Sequence, residues 1–287
     1  MKRALIALAS LFPIVASAEV SIGKAEHLGR LHYKITTETA TYLYDPVAGG
    51  FSSIFDPTGQ DWIAYGDPAQ ADYPAGAAYA FRGLPNMVHG GEDSGTGHPG
   101  FKKCRSAIVS DNRIQSFSTS GVWQWSWHFF DTHAELVIEK AAEDRAYWFL
   151  YEGPAGGKWD PDKTYWGSNQ GGPKKEQHDF YNNDKRFDHF DWFYFGTDFS
   201  DYTFWMAQVE SDNQIDLFSL LGNEPSGVNA PDGMVVAGFG RGPGTASLLK
   251  GPKRFLIGMR PGPIKQRPDH QNIVREIEAL RKENASE

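Results

Sequence analysis

The sequence predicts an all-β protein, an antiparallel β-sandwich followed by one short C-terminal helix. Short runs of alternating apolar and polar residues recur along most of the chain, and turn-forming residues separate them. The 31 glycines and 17 prolines fit many tight connections, and the 14% aromatic content fits a large core. Helical spacing occurs only in the tail, where Ile273, Val274, Ile277 and Leu280 share one face. We therefore expect a sandwich domain over residues 19–265 and a helical tail over 266–287.

The first eighteen residues have the pattern of a secretory signal peptide. Lys2 and Arg3 precede an apolar run over residues 4–15, and Ala16-Ser17-Ala18 supplies a cleavage site of the A-x-A type. The run is too short for a membrane span, and no second long apolar run follows. The sequence therefore predicts export to the periplasm or the extracellular space, without a membrane span.

Charge and cysteine content exclude several classes of function. The formal net charge is −8, and removal of Lys2 and Arg3 would make the chain more acidic. Such a chain is a poor partner for nucleic acid or for anionic membranes. Cys104 is the only cysteine, so no disulfide can form within the chain and stability must come from a packed core.

The first strands lie between Val20 and Ile63. Alternation is clearest at Leu31-His32-Tyr33-Lys34-Ile35, and a Gly49-Gly50 bend then leads into another strand. Asp56-Pro57-Thr58-Gly59 is a turn, because Pro57 presets its own φ and Gly59 accepts a positive φ. Asp61-Trp62-Ile63 begins the next strand.

This opening hairpin, Gly49-Gly50-Phe51-Ser52-Ser53-Ile54 to Asp61-Trp62-Ile63, resembles that of galactose-mutarotase-like β-sandwich proteins. The superfamily includes aldose epimerases and the sandwich domains of many polysaccharide lyases and glycoside hydrolases. The resemblance implies a supersandwich fold and a carbohydrate as the partner. An epimerase-type His-Ser-Tyr-Phe-Asn segment is missing, and His178-Asp179-Phe180-Tyr181-Asn182 is similar to it only loosely. This departure argues against a simple sugar mutarotase.

The strongest strand predicted is residues 121–129. Trp123, Trp125, Trp127 and Phe129 alternate with Gln124, Ser126 and His128, so the two sets occupy opposite faces. A stripe of tryptophans favours a core face, which leaves the Gln124 and His128 face to line a groove. Strands over 133–139 and 146–153 follow, and Glu152 ends the second. A carboxylate there is costly to bury unless it is paired or used.

Two polar stretches are predicted to be irregular and functional. The glycine-rich residues 81–100 predict a long loop that presents Arg82, Asn86, His89, Glu92 and His98. Residues 154–191 predict an insertion without regular structure, whose Trp166 and Tyr181 suit sugar rings. Strands over 191–195, 201–209, 217–221, 234–239 and 254–259 complete the sandwich.

The favoured function is a secreted carbohydrate-active enzyme that cleaves or isomerises an oligo- or polysaccharide, with a lyase favoured over a hydrolase. The catalytic candidates are His89, His98 and Glu152, because acid–base chemistry needs such groups. The substrate-binding candidates are Arg82, Asn86, Glu92, Gln124, His128, Trp166 and Tyr181. The alternative is a glycan-binding or envelope protein without catalysis that uses an aromatic-lined face. No cofactor is expected, and a divalent metal on His89 and His98 is the less favoured case.

Three structural expectations follow from these assignments. Residues 81–100 should line one cleft with Gln124, Ser126 and His128, and residues 154–191 should cover that cleft as a lid. His89→Ala should cost stability only as a surface change does, within roughly 0.5 kcal/mol.

Overall fold

A computed structural model describes residues 20–63, 84–90, 103–153, 162–175, 185–223 and 229–286. These residues form three antiparallel sheets and one long helix, which confirms the all-β sandwich with its C-terminal helix. The signal peptide lies outside the described residues and stays a prediction. The division of the chain into domains also stays a prediction.

The largest sheet has nine strands in the order β12-β11-β14-β15-β18-β9-β8-β7-β6. In chain order, its strands are β6 (Cys104–Ser110), β7 (Arg113–Ser118), β8 (Gln124–Phe129), β9 (His133–Lys140), β11 (Thr164–Ser168), β12 (Gly171–Lys174), β14 (Trp192–Thr197), β15 (Tyr202–Gln208) and β18 (Lys253–Pro261).

The two smaller sheets have four and five strands. The four-stranded sheet has the order β1-β2-β3-β4 and contains β1 (Ser21–His27), β2 (Arg30–Thr36), β3 (Thr41–Asp45) and β4 (Gly50–Phe55). The five-stranded sheet has the order β13-β16-β17-β10-β5 and contains β5 (Asn86–His89), β10 (Tyr147–Gly153), β13 (Lys185–Asp188), β16 (Asp216–Asn223) and β17 (Asn229–Phe239).

The main core lies between the nine-stranded sheet and the two smaller sheets. Trp125 and Trp127 of β8 are fully buried there, together with Tyr42 of β3 and Phe149 of β10. The side chains of β8 therefore alternate between the two faces as the sequence predicted, and the tryptophans lie in the core. We use "inner" for the face of each sheet that meets this core and "outer" for the opposite face.

The helix α1 (Arg267–Ala285) packs on the outer face of the nine-stranded sheet. Ile273 and Ile277 are buried against Trp192, Trp205 and neighbouring residues of β14, β15 and β18. Gln266 and Asp269 form a capping box at the start of the helix, which satisfies backbone N–H groups that would otherwise lack partners. The helix covers one end of this outer face and leaves the β7–β9 end uncovered by α1.

Two predictions of irregular structure are wrong in part. Residues 86–89 form strand β5, with Met87 in the main core and Val88 in a smaller apolar cluster on the other side. Residues 154–191 contain β11, β12 and β13. In both stretches cross-strand pairing, with β10, β14 and β16, outweighs a glycine-rich or polar composition.

Candidate functional site

The outer surface of strands β7, β8 and β9 is a polar face built on one carboxylate. We call it the Glu139 face, and its members are Arg113, Gln115, Gln124, Ser126, His128 and Glu139. Gln124 and Ser126 point away from the tryptophan core because side chains alternate along β8. Arg113 and Gln115 lie opposite His128 and Ser126 on β7, so the three strands present one continuous surface.

Glu139 accepts hydrogen bonds from four side chains. Its Oε1 accepts from Arg113 Nη2 at 2.6 Å and from Ser126 Oγ. Its Oε2 accepts from Gln115 Nε2 at 2.9 Å and from Gln124 Nε2. Burial tends to raise the pKa of this carboxyl, but the four hydrogen bonds outweigh it and lower the pKa. Glu139 is therefore a fixed negative charge that holds the surrounding donors in place.

His128 is the half-buried imidazole of the Glu139 face. Arg113 lies directly opposite it on β7, and Glu135 lies opposite it on β9. Burial lowers the pKa of His128, and the nearby Arg113 charge lowers it further, against a smaller opposing effect of Glu139. His128 is therefore neutral near pH 7, so one ring nitrogen can donate a hydrogen bond and the other can accept one.

The border of the Glu139 face carries an aromatic ring and an exposed cation. Phe117 of β7 lies opposite Gln124, and the Arg105 guanidinium lies 5.7 Å from the centre of its ring. The face as a whole therefore offers hydrogen-bonding amides, a neutral imidazole and a partly exposed ring on a rigid sheet.

His89 lies on the inner side of the sandwich, where only 1% of its surface is exposed. Its ring stacks on Trp123 with 4.6 Å between the ring centres. The Arg145 guanidinium lies 6.0 Å from the same tryptophan ring, and its Nη1 donates to Gly90 O at 3.2 Å. The prediction that His89 and His128 line one cleft is wrong, because the nine-stranded sheet separates them.

Glu152 occupies the outer face of the five-stranded sheet. It alternates with Tyr151, which is buried in the main core, and it is itself 4% exposed. His89 pairs with Tyr147 and shares its inner face, five residues away from Glu152 along β10. A strand rises about 3.3 Å per residue, so the two side chains are far apart as well as on opposite faces. The prediction that His89 and Glu152 act together as an acid–base pair is therefore wrong.

Asn86 is fully buried, and its amide hydrogen-bonds to backbone groups of the fold. Its Nδ2 donates to Gly49 O at 2.5 Å, and its Oδ1 accepts from Met87 N at 2.8 Å. Trp125 Nε1 donates to the same Gly49 oxygen at 2.9 Å. Gly49 has φ +76, and a Cβ there would lie 2.4 Å from the Trp125 ring, so only glycine fits. Both functional groups of the Asn86 amide are engaged within the fold.

Trp166 is 1% exposed and lies on the inner face of β11. Phe218 stacks on its ring, so it is not the open sugar platform that the sequence predicted. The other predicted site residues, Arg82, Glu92, His98 and Tyr181, lie outside the described residues. Gln124 and His128 are thus the predicted site residues that the structure brings together.

Sequence reasoning missed Glu139, Arg113 and Gln115. Glu139 is the last outward-facing residue of the 133–139 strand, so its face could be predicted, but its partners could not. They depend on the register between β7, β8 and β9, which no local pattern sets. The only signal was that both neighbouring strands place polar residues at alternate positions.

Two kinds of feature are absent from the described residues, a metal-binding cluster and a membrane-spanning helix. No group of three or more His, Cys, Asp or Glu side chains could hold a metal ion in the part of the chain that the structure describes. Among the same residues, no helix has the length and apolar character needed to span a membrane.

Comparison with known proteins gives similarity of structure only. No protein-family model and no curated protein matches the chain. The crystal structure of HI1317 is similar with a TM-score of 0.53 and 12% identity, covering 88% of this chain and 98% of HI1317. At this identity the likeness shows a shared fold and nothing further.

Galactose-mutarotase-related proteins are also among the similar structures. An enzyme of this kind from Lactobacillus acidophilus has a TM-score of 0.43 and 7% identity, covering 82% of this chain and 99% of that one. A galactose mutarotase-like protein from Lactobacillus casei has a TM-score of 0.42 and 9% identity, covering 83% of this chain and 100% of that one.

Proposed function

We propose that the protein is an exported carbohydrate-active protein that binds an oligo- or polysaccharide along the Glu139 face. The observation that carries this proposal is the set of four donors converging on Glu139. The network fixes the amides of Gln115 and Gln124 beside the neutral His128, and the oxygens of these amides accept no hydrogen bond from the described residues. Side chains held in this way lose little conformational entropy when a ligand binds.

The chemistry of the face suits sugar hydroxyls. Each hydroxyl both donates and accepts, and the face supplies amide oxygens as acceptors and imidazole nitrogens for either role. The partly exposed Phe117 ring offers an apolar surface for the C–H side of a sugar. The resemblance of the opening hairpin to carbohydrate-active sandwich proteins supports the same class of ligand.

Of the two classes that the sequence left open, the described residues favour glycan binding. His89 and Glu152 cannot form one acid–base pair, and His98, Arg82 and Glu92 lie outside the described residues. Enzymatic cleavage remains the second candidate because Glu152 is a buried carboxylate at the end of an apolar strand. Such groups are frequent at catalytic sites.

The test is a binding screen of the exported protein against a panel of oligo- and polysaccharides. We expect at least one glycan to bind, and His128→Ala to weaken that binding by about tenfold, which corresponds to about 1.4 kcal/mol. His270→Ala is the matched control, because burial also lowers the pKa of His270. His270 belongs to α1 and contacts Trp192 and Tyr194, away from the Glu139 face.

The same incubations separate the second candidate from the first. A lyase would produce unsaturated uronates that absorb ultraviolet light, and a hydrolase would produce reducing ends without that absorbance. Glu152→Gln should then abolish turnover. If no glycan binds, or if His128→Ala and His270→Ala bind alike, the Glu139 face is not the binding surface.

A further inference from the structure

A second cluster of polar groups surrounds Trp166, at the opposite end of the nine-stranded sheet from the Glu139 face. The Lys174 Nζ lies 4.5 Å from the centre of the Trp166 ring, and the Arg186 Cζ lies 5.8 Å from it. Lys174 belongs to β12 and Arg186 to β13, which are edge strands of two different sheets. The cluster therefore lies where the edges of the two sheets meet.

One face of the Trp166 indole ring is already occupied. Phe218 stacks on Trp166 with 4.1 Å between ring centres and 20° between planes, so it occupies one ring face. Lys174 Nζ, at 4.5 Å from the ring centre, is therefore left with the other face. Lys174 pairs with Trp166 across β11 and β12, and Arg186 pairs with Phe218 across β13 and β16, so both extend from the inner faces of their sheets.

The indole nitrogen of Trp166 adds a third donor. Trp166 is 1% exposed, and its Nε1 is buried without a hydrogen-bond partner among the described residues. A buried N–H without an acceptor is unfavourable, and native structures rarely leave one. The indole N–H can only donate, so a ligand at this position would need a hydrogen-bond acceptor atom.

Lys174 differs from the lysine that follows it. Lys175 pairs with Asp198 at 2.9 Å. Lys174 makes no ion pair within the part of the chain that the structure describes, and its charge lies against the tryptophan ring. Attraction to an aromatic ring compensates a cation only partly, because a carboxylate or phosphate is a stronger partner.

We propose that Lys174, Arg186 and the Trp166 N–H form a binding site for a small oxyanion group, such as a phosphate, a sulfate or a carboxylate. The guanidinium and the ammonium would neutralise the negative charge, and the indole N–H would donate to one oxygen. The site is separate from the Glu139 face. Trp166 lies on the inner face of β11, whereas Glu139 lies on the outer face of β9, four strands away.

Isothermal titration of the full exported protein with inorganic phosphate, sulfate and glucuronate tests this site. Sodium chloride keeps the ionic strength constant, since surface charges alone would respond to salt. We expect saturable binding of at least one anion, with Lys174→Gln weakening it by about tenfold. Lys175→Gln is the matched control and should leave the affinity within about twofold of wild type, because that lysine is exposed and paired with Asp198.

Trp166→Phe tests the contribution of the N–H while keeping an aromatic ring, and it should weaken binding several-fold in a variant whose fold circular dichroism verifies. The three anions distinguish a phosphate, a sulfate and a sugar carboxylate as the preferred ligand. The proposal is overturned if none of them binds saturably, or if Lys174→Gln binds as tightly as Lys175→Gln. Neither result depends on whether a glycan binds the Glu139 face.

Discussion

Strand β8 has two faces that differ in chemistry and in exposure. Trp125 and Trp127 on the inner face are fully buried, and their neighbours include other aromatic rings. The centres of the Phe51 and Trp127 rings, for example, lie 4.8 Å apart. Gln124 and His128 on the outer face are half-buried and polar, and they border the Glu139 carboxylate. The comparison teaches that the inner face is suited to stability, whereas the outer face is suited to recognition.

The two histidines considered for function follow the same division. His89 stacks on Trp123 on the inner side and is almost completely buried, whereas His128 is partly accessible on the outer side. Both were candidate site residues in the sequence, but their surroundings predict opposite effects of substitution.

Removing a ring from the inner face should have the largest effect. We expect Trp127→Ala to lower the free energy of unfolding by about 3–5 kcal/mol, because it leaves a large cavity in the core. Denaturant unfolding measures the change. Gln115→Ala on the outer face is the control and should cost about 1 kcal/mol, the usual value of one hydrogen bond. Equal costs would contradict the division between the faces.

Two histidines of the outer face, His133 and His128, should differ in their effect on stability at acid pH. Burial lowers the pKa of His133 to about 4, whereas an unfolded histidine titrates near 6.5. As the pH is lowered, the unfolded state binds a proton at His133 before the folded state does. The free energy of unfolding is therefore unaffected by His133 above about pH 6.5 and declines as the pH falls from 6.5 towards 4. The slope for one such group is at most about 1.4 kcal/mol per pH unit.

Unfolding curves between pH 7 and pH 4 measure this decline. We expect His133→Gln to flatten the pH dependence more than His128→Gln, because His133 is buried and His128 is half-buried. A slope unchanged by His133→Gln would show that another group dominates acid unfolding.

His89→Ala should be destabilising, contrary to the expectation from the sequence. The ring is buried against Trp123, so its removal should cost about 1–3 kcal/mol in the free energy of unfolding. Glycan affinity, measured on the folded fraction, should stay the same. A stability change below about 0.5 kcal/mol together with a loss of glycan affinity would restore His89 as a functional residue.

The fold could be predicted from the sequence because local patterns determine its main elements. The alternation of tryptophans in residues 121–129 places the core face of β8, and the spacing of Ile273 and Ile277 places the buried face of α1. Strand β5 was missed because it has only four residues between glycine-rich stretches, and its regularity comes from pairing with β10. Short strands of this kind depend on tertiary pairing.

The candidate site was less predictable for a related reason. Gln124 and His128 were identified from alternation alone, but the Glu139 network depends on how three strands are aligned. His89 and Glu152 were grouped by chemical type, although adjacent strands place them on opposite faces. Residue type and local pattern predict a face, whereas register and sheet pairing decide which faces meet.

The central claim, that the outer face of β7–β9 contacts a glycan, is tested most directly by nuclear magnetic resonance of the histidine side chains. The exported protein would be titrated with the glycan that binds best in the screen. We predict that the imidazole signals of His128 shift in proportion to saturation, while those of His89 and His270 do not. A saturable shift at His89 with none at His128 would contradict the claim.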